Sequence, residues 1–167
     1  MKTVIKNGYT IKIDNQDYEL ISNIKFHVRK NNKGFLSVRL SNMKHFASIF
    51  FPEYKTGVGL EIDHINGDPL DNRRKNLRIC THAENMRNRK IFKNNTSGFK
   101  GVSWCKETNK WCAKCYLKRK ATKAWFKNIY DAAEFYNKTA LALHGKFARL
   151  NIIPTRSTKE PDPKVQL

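Results

Sequence analysis

The sequence predicts an α+β protein, on the evidence of three observations. Short runs that alternate apolar and polar residues fill the first part of the chain, a pattern typical of half-buried strands. A hairpin rich in turn residues, with an acid–histidine pair, occupies the middle, and three more alternating runs with one amphipathic helix follow. We therefore expect a small β-rich region at 1–57, a central hairpin at 58–92, a sheet-and-helix module at 93–153 and a flexible tail at 154–167.

The composition points to a polyanionic partner. The chain has 33 Lys and Arg against 14 Asp and Glu, a net charge of +19. These charges are spread among aromatic and aliphatic residues rather than gathered in one arm, which favours a folded nucleic-acid binder. No apolar run reaches the length of a membrane span, and no signal peptide follows Met1. We therefore expect a cytoplasmic protein without membrane contact.

The four cysteines do not indicate disulfides in that reducing compartment. Cys112 and Cys115, in "CAKC", have the spacing of half a zinc site, but no matching pair follows at finger spacing. They lie in an alternating run, and we interpret them as ordinary strand residues.

In the N-terminal region, "YTIKID" predicts a strand and "IKFHVRK" and "FLSVRL" flank the turn signal "NNKG". The apolar cluster "MKHFASIFFPEY" predicts a short helix packed on these strands. This region either contacts DNA or supports the fold.

The stretch "LEIDHINGDPLDNRRKNLRICTHAENMRNR" carries the residues with chemistry. Asp63 and His64 end a short strand, "NGDPLDN" is turn sequence, "NLRICT" is a second strand, and a helix capped by Thr81 or His82 follows. This scaffold can bring Asp63 and Asn85 together as an oxygen-only pair suited to Mg²⁺. His64, a neutral imidazole near pH 7, suits a general base for water.

Phosphodiester hydrolysis needs an activated water, a cation on the scissile phosphate and relief of charge on the leaving oxygen. Arginines in this stretch could bind the flanking phosphates, although they could equally form a solvated face. They are Arg73, Arg74, Arg78, Arg87 and Arg89.

Over these thirty residues the pattern "DHINGD.LDNR..NLR..T..EN..N" resembles the HNH endonucleases, particularly the phage and intron-encoded homing type. The resemblance implies a ββα-metal fold in which His64 is the general base and Asp63 and Asn85 are the metal ligands. It also implies that the side chain of Asn76 ties the loop together and helps orient the base. Asn85 stands where many members carry histidine, which favours one Mg²⁺ or Mn²⁺ per active site over softer metals.

The C-terminal module carries nine Lys and Arg but one acid, Glu107, between Phe99 and Lys127. The runs "KGVSWC", "KWCAKCYL" and "TKAWFKN" predict three strands, and a helix capped by Asn128 and closed by Gly145 follows them. One face of the sheet would then be charged and aromatic, and the helix would back the other.

Residues 97–151 also resemble the ethylene-response-factor (Apetala-type) DNA-binding domain in "SGFKGVSW", "KWCAKCYL" and "DAAEFYNKTALALHGKFARLN". The resemblance implies a three-stranded antiparallel sheet packed on one helix, with sheet side chains on double-stranded DNA. The third strand lacks the family's glycine before Phe126. Trp104 and Trp125 could instead be core residues, the interpretation we favour for Trp125. The implied DNA contacts are Lys100, Trp104, Lys106, Lys110, Trp111, Lys114, Lys118 and Arg119.

Together these features predict a metal-dependent HNH homing endonuclease that hydrolyses double-stranded DNA. One active site per chain favours a nick by a monomer, whereas a dimer would be needed to cut both strands. The alternative is a non-catalytic DNA-binding regulator with a nuclease-like hairpin; an RNA-directed nuclease is disfavoured by the resemblance to a duplex reader. The architecture resembles phage-encoded proteins, so the expected compartment is the cytoplasm of a bacterial host.

Overall fold

A computed structural model of the protein describes residues 1–32, 34–42, 44, 46–51 and 59–154. Apart from Pro154, the predicted tail lies outside the described residues. The chain forms two compact units, Met1–Met86 and Arg87–Leu167. Both combine helices with small antiparallel sheets, so the predicted α+β class is confirmed.

The first unit contains three two-stranded antiparallel sheets, which pair β1 with β2, β3 with β4 and β5 with β6. Short 3₁₀ helices occur at Asn15–Asp17, Phe46–Phe50 and Arg74–Asn76. The strands and helices are β1 (Lys2–Lys6), β2 (Tyr9–Ile13), α1 (Tyr18–Ser22), β3 (Phe26–Lys30), β4 (Leu36–Leu40), β5 (Leu60–His64), β6 (Leu77–Thr81) and α2 (His82–Asn88).

The core of the first unit follows from the predicted alternation. Ile11 and Ile13 of β2 are fully buried, as is Val38 of β4, and they pack with Phe46 and Phe50. Burial of one such side chain contributes about 1.5–3 kcal/mol. The short helix predicted from "MKHFASIFFPEY" is present as the 3₁₀ helix at Phe46–Phe50 within its described part.

The N-terminal strands hold the loop of the central hairpin. The Lys12 backbone on β2 donates to the carbonyl of Leu70 and accepts from the amide of Asn72, both at 2.8 Å. Arg74 adds an ion pair with buried Asp17 at 2.7 Å. This part of the β-rich region therefore supports the fold around the loop.

The second unit is a three-stranded antiparallel sheet in the order β7–β8–β9 with one helix packed on it, as predicted. Its elements are β7 (Val102–Cys105), β8 (Lys110–Leu117), β9 (Lys120–Phe126) and α3 (Ile129–His144). The predicted cap is present, since Oδ1 of Asn128 accepts from the amide of Tyr130 at 2.7 Å. Gly101 has a φ of +74°, and a Cβ there would collide with the ring of Tyr136, so this position requires glycine.

Candidate active site

The hairpin β5–β6 followed by α2 forms a ββα unit. Its register places Asp63 opposite Arg78 and His64 opposite Leu77. A reciprocal capping box starts α2: the amide of Thr81 donates to Glu84 Oε2 at 2.8 Å, and Thr81 Oγ1 accepts from the amide of Glu84 at 3.3 Å. Thr81, rather than His82, therefore caps the helix.

Asn76 closes the loop between the two strands. Its Nδ2 donates to the carbonyl of Asp71 at 2.7 Å and to Oδ1 of Asn66 at 3.0 Å, and its Oδ1 accepts from the amide of Asn66. The side chain is buried, so each bond lost would leave a buried polar group unsatisfied. These bonds join Asn66 and Asp71, at the two ends of the loop, to one side chain.

Asn72, which sequence reasoning did not single out, contacts the ring of His64. Its Oδ1 lies 3.2 Å from Nε2 of His64, and its Nδ2 donates to the carbonyl of Pro69 at 3.1 Å. Because an amide oxygen only accepts, Nε2 carries the proton and the lone pair resides on Nδ1. Asn76 therefore acts on the loop, while Asn72 orients the imidazole.

Burial sets the protonation of His64. The imidazole is shielded from solvent, and this desolvation lowers its pKa below the usual 6.5. The bond to Asn72 and the charges of Asp63, Asp68 and Asp71 act in the opposite direction without overcoming it. Its pKa therefore lies on the side that favours the neutral imidazole at pH 7.

Asp63 is bound by an arginine. Arg78 donates to its Oδ2 through Nη2 at 2.6 Å and through Nε at 2.9 Å, and both side chains are largely buried. Arg78 is therefore placed to neutralise Asp63, which differs from the predicted contact with DNA phosphate. The structure shows no direct bond between Asp63 and Asn85 among the described contacts; Asn85 bonds to another acid.

That acid is Glu61, which sequence reasoning missed. Its Oε2 accepts from Nδ2 of Asn85 at 2.5 Å, and its Oε1 lies 2.6 Å from Nδ1 of His82. Partial burial favours the neutral acid, but the bonds from Asn85 and His82 outweigh it and lower the pKa of Glu61. The spacing in the sequence could have predicted this contact, because Glu61 and Asp63 share one face of a strand and His82 and Asn85 share one face of a helix.

The donor chemistry fits a hard divalent cation. Glu61 and Asp63 offer carboxylates and Asn85 an amide oxygen, the ligand types of Mg²⁺. Burial, together with the charges of Asp63 and Glu61, raises the pKa of the neighbouring Cys80 to about 11, so it is a thiol rather than a thiolate ligand at neutral pH. In the described part of the chain, no three His, Cys, Asp or Glu side chains cluster as a metal site.

The other predicted arginines have partners within their own units. Arg73 forms a two-point ion pair with buried Asp71, at 2.6 and 2.7 Å. Arg74 bonds Asp17 and the carbonyl of Phe50 and so stabilises the fold. In the second unit, Arg89 lies just beyond α2 with its guanidinium over Phe92, and the carbonyls of Arg87 and Arg89 accept from Nζ of Lys100.

Most of the predicted contacts of the second unit lie on its surface. Lys106 and Lys110 are exposed, Lys114 is half-buried opposite Lys123 on the sheet, and Lys118 and Arg119 form the exposed β8–β9 turn. Lys100 is half-buried, and burial lowers its pKa to about 8.

Two tryptophan predictions are wrong. Trp111 is only 2% exposed, in edge contact with half-buried Trp104, and so cannot reach DNA. Trp125, interpreted as core, is 43% exposed beside Lys123, because its register partner is Cys112 rather than an inward residue of the Trp111 face. Cys112 and Cys115 are buried free thiols on β8, as interpreted.

Residues 52–87 match the HNH endonuclease family. The chain is also 38% identical to Protein 3.8 of Escherichia phage T7 over 91 residues, which cover 54% of this chain and 75% of the relative. No solved structure matches. Within residues 1–32, 34–42, 44, 46–51 and 59–154, no helix has the length and apolar character needed to span a membrane. The chain therefore belongs to the same family as Protein 3.8 of Escherichia phage T7, and carries an HNH endonuclease-type domain at residues 52–87.

Proposed function

We propose that the protein is a metal-dependent endonuclease that hydrolyses phosphodiester bonds in double-stranded DNA. One observation carries the proposal: His64 is buried and held through Nε2 by Asn72, and it directly follows Asp63 on the strand that also carries Glu61. A buried general base beside an oxygen donor set is the arrangement that phosphodiester hydrolysis requires.

His64 removes the proton from the attacking water. With Nε2 engaged by Asn72, Nδ1 accepts this proton, and Asn72 stabilises the imidazolium through the same contact. Asn76 acts indirectly, because the loop it closes is the one that carries Asn72. Its role is thus to position the residue that orients the base.

Asp63 and Asn85 would hold the cation, and Glu61 would fix the amide of Asn85 or add a third oxygen. When bound, Mg²⁺ or Mn²⁺ would supply charge stabilisation on the scissile phosphate and the leaving oxygen. Arg78 orients the Asp63 carboxylate on the strand through two hydrogen bonds to Oδ2.

DNA binding is assigned to basic side chains in both units. In the second unit we propose contacts from Lys106, Lys110, Lys114, Lys118 and Arg119, and from exposed Trp125 in place of Trp111. These contacts are assigned by analogy with the ethylene-response-factor domain, which residues 97–151 resemble in sequence. Lys100, Arg87 and Arg89 remain further candidates, whereas half-buried Trp104 lies on the face that packs on α3.

The homing type, the preferred metal and the outcome on DNA are part of this proposal. One active site per chain favours a nick by a monomer, and a dimer would cut both strands. The relationship to a phage protein supports action inside an infected bacterial cell. The competing function is a DNA-binding regulator whose ββα hairpin is structural.

Digestion of phage and bacterial duplex DNA in Mg²⁺ separates these two functions. The wild type should fragment or nick the DNA, and His64→Ala should bind it equally well without cutting it. Exposed Asn94→Ala in the second unit is a control that should retain activity. Tight binding without any strand break by the wild type on all tested DNA would favour the regulator.

A further inference from the structure

The hairpin β3–β4 presents a basic face directed away from the core. Cross-strand partners share a face, so His27 opposite Arg39 and Arg29 opposite Ser37 lie together. The opposite face packs in the core of the first unit through Phe26 and Val38, with Val28 and Leu40 against them. One side of this ribbon is thus fixed by the fold, and the other carries exposed Arg29 with half-buried Arg39 and His27.

The sequence around this face contains no acid. From Leu20 to Pro52 there are six Lys and Arg and no Asp or Glu, although the whole chain has 14 acids. Acidic residues flank this segment on both sides, at Asp14, Asp17 and Glu19 before it and from Glu53 onward. This uniform positive charge favours a polyanion as the binding partner over a protein surface that carries both acidic and basic residues.

The turn of the hairpin is fixed. The carbonyl of Asn31 accepts from the amide of Gly34 at 2.8 Å, and its Oδ1 accepts from the amide of Phe35 at 2.9 Å. Gly34 supplies the φ of +82° that the turn needs. This turn holds the ring of Phe35 60% exposed, beside a depression lined by Arg29, Ser37 and Arg39.

We propose that the β3–β4 hairpin is a second DNA-binding element, which enters the major groove of duplex DNA. A two-stranded ribbon has the width that the major groove of B-DNA admits. Arg29 and Arg39 bind phosphates that flank the groove, and Phe35 makes an apolar contact at the tip. The proposal rests on the proposed function for the choice of duplex DNA as partner, and assigns to the N-terminal region a contact that the nuclease motif does not provide.

The test measures duplex DNA binding as a function of salt, in EDTA so that no hydrolysis occurs. Each phosphate contact contributes about 0.9 to the slope of log affinity against log salt. Arg29→Gln combined with Arg39→Gln should therefore weaken binding and reduce the slope by about 1.8. Ser37→Glu, which places an acid on the same face, should also weaken binding without removing an arginine.

A matched control removes the same charge elsewhere in the first unit. Lys2→Gln with Lys6→Gln lies on exposed β1 and should leave the slope near the wild-type value. The proposal would be overturned if the control pair reduced the salt slope as much as the arginine pair does. It would also be overturned if neither the arginine pair nor Ser37→Glu weakened DNA binding. Melting temperatures confirm that each variant is folded.

Duplex RNA of the same sequence distinguishes groove binding from phosphate attraction alone. Its major groove is too deep and narrow for side chains to read, so the arginine pair should matter less there. An equal slope change on both duplexes would overturn the major-groove assignment. If the arginine pair weakens DNA binding but the wild type cuts no DNA, only the proposed nuclease activity is refuted. If the wild type cuts DNA and the arginine double variant binds as tightly as the wild type, only the role of the hairpin is refuted.

Discussion

Asn85 donates a hydrogen bond from Nδ2 to Oε2 of Glu61 at 2.5 Å, across the junction between helix α2 and strand β5. Commitment of Nδ2 to Glu61 reserves Oδ1, the amide atom that can ligate a cation. Glu61 also contacts His82, one helical turn before Asn85. A carboxylate that orients a metal ligand in this way typically contributes 10–100-fold to metal affinity.

Glu61→Ala should therefore weaken Mn²⁺ binding by about tenfold or more. Glu61→Gln, which keeps one acceptor oxygen, should lie between this variant and the wild type. Titration calorimetry with Mn²⁺ in the absence of DNA gives the affinity. His82→Ala is the matched control, because it leaves the Glu61–Asn85 bond in place; Mn²⁺ affinity equal to wild type in Glu61→Ala would show that Glu61 does not act on the ligand.

Arg78 and Asp63 form a largely buried ion pair. Arg78→Met should destabilise the metal-free protein by about 3–5 kcal/mol, because it leaves a buried carboxylate without its counterion. A cation at Asp63 would replace the lost charge, so addition of Mg²⁺ should raise the melting temperature more in Arg78→Met than in the wild type. Equal increases would argue that Asp63 is not a ligand, and exposed Arg89→Met in the second unit provides the control.

The pH dependence of cleavage should report His64. Its pKa is lowered by burial, so the base stays neutral through pH 6.5 and the rate should fall only as the pH drops through the lower folded value. The free energy of unfolding should follow the same trend. The contribution of His64 is fully present above pH 6.5, the usual histidine pKa, and is lost as the pH falls through the pKa of the folded state.

Asn72→Asp places a carboxylate 3.2 Å from Nε2, which raises the pKa of His64 and should move the acidic limb of the rate profile to higher pH. Exposed Asn94→Asp should leave the limb unchanged. An unmoved limb in Asn72→Asp would mean that the limb belongs to a group other than His64.

Asn76 provides a test of the loop. Asn76→Ala removes two donors and one acceptor from a buried site, and each group left unsatisfied costs about 1–3 kcal/mol. Asn76→Asp should also destabilise, since it sets a carboxylate against the oxygens of Asn66 and Asp71. Urea unfolding measures both effects; free energies of unfolding equal to wild type would show that the loop does not depend on this side chain.

The ββα scaffold was predictable because its residues are contiguous and each turn has its own signal, from Asn66-Gly67 to the Thr81–Glu84 box. The choice between Asn72 and Asn76 as the partner of His64 was not. Both lie in one loop, and closure of the loop on β2 decides which amide reaches the ring. The contact of Glu61 with His82 and Asn85 was predictable from strand and helix periodicity. An acid two residues before Asp63 does not by itself indicate this role.

The tryptophans show the limit of period-two reasoning. In "KWCAKCYL" apolar residues occupy both parities, with Trp111 and Ala113 on one and Cys112 on the other. The alternation therefore did not identify the inward face. The packing of α3 identifies the face of Trp111 as the inward one, and it leaves Trp125 on the opposite, outward face of the sheet.

The most direct test of the central claim is conversion of supercoiled plasmid by wild type and His64→Ala in Mg²⁺, Mn²⁺ or EDTA. Our account predicts open circles with wild type in either metal and none in EDTA or with His64→Ala, at equal DNA binding. Direct linearisation would still support the nuclease but would assign paired active sites. Cleavage by His64→Ala at the wild-type rate, or cleavage by wild type in EDTA, would contradict the account.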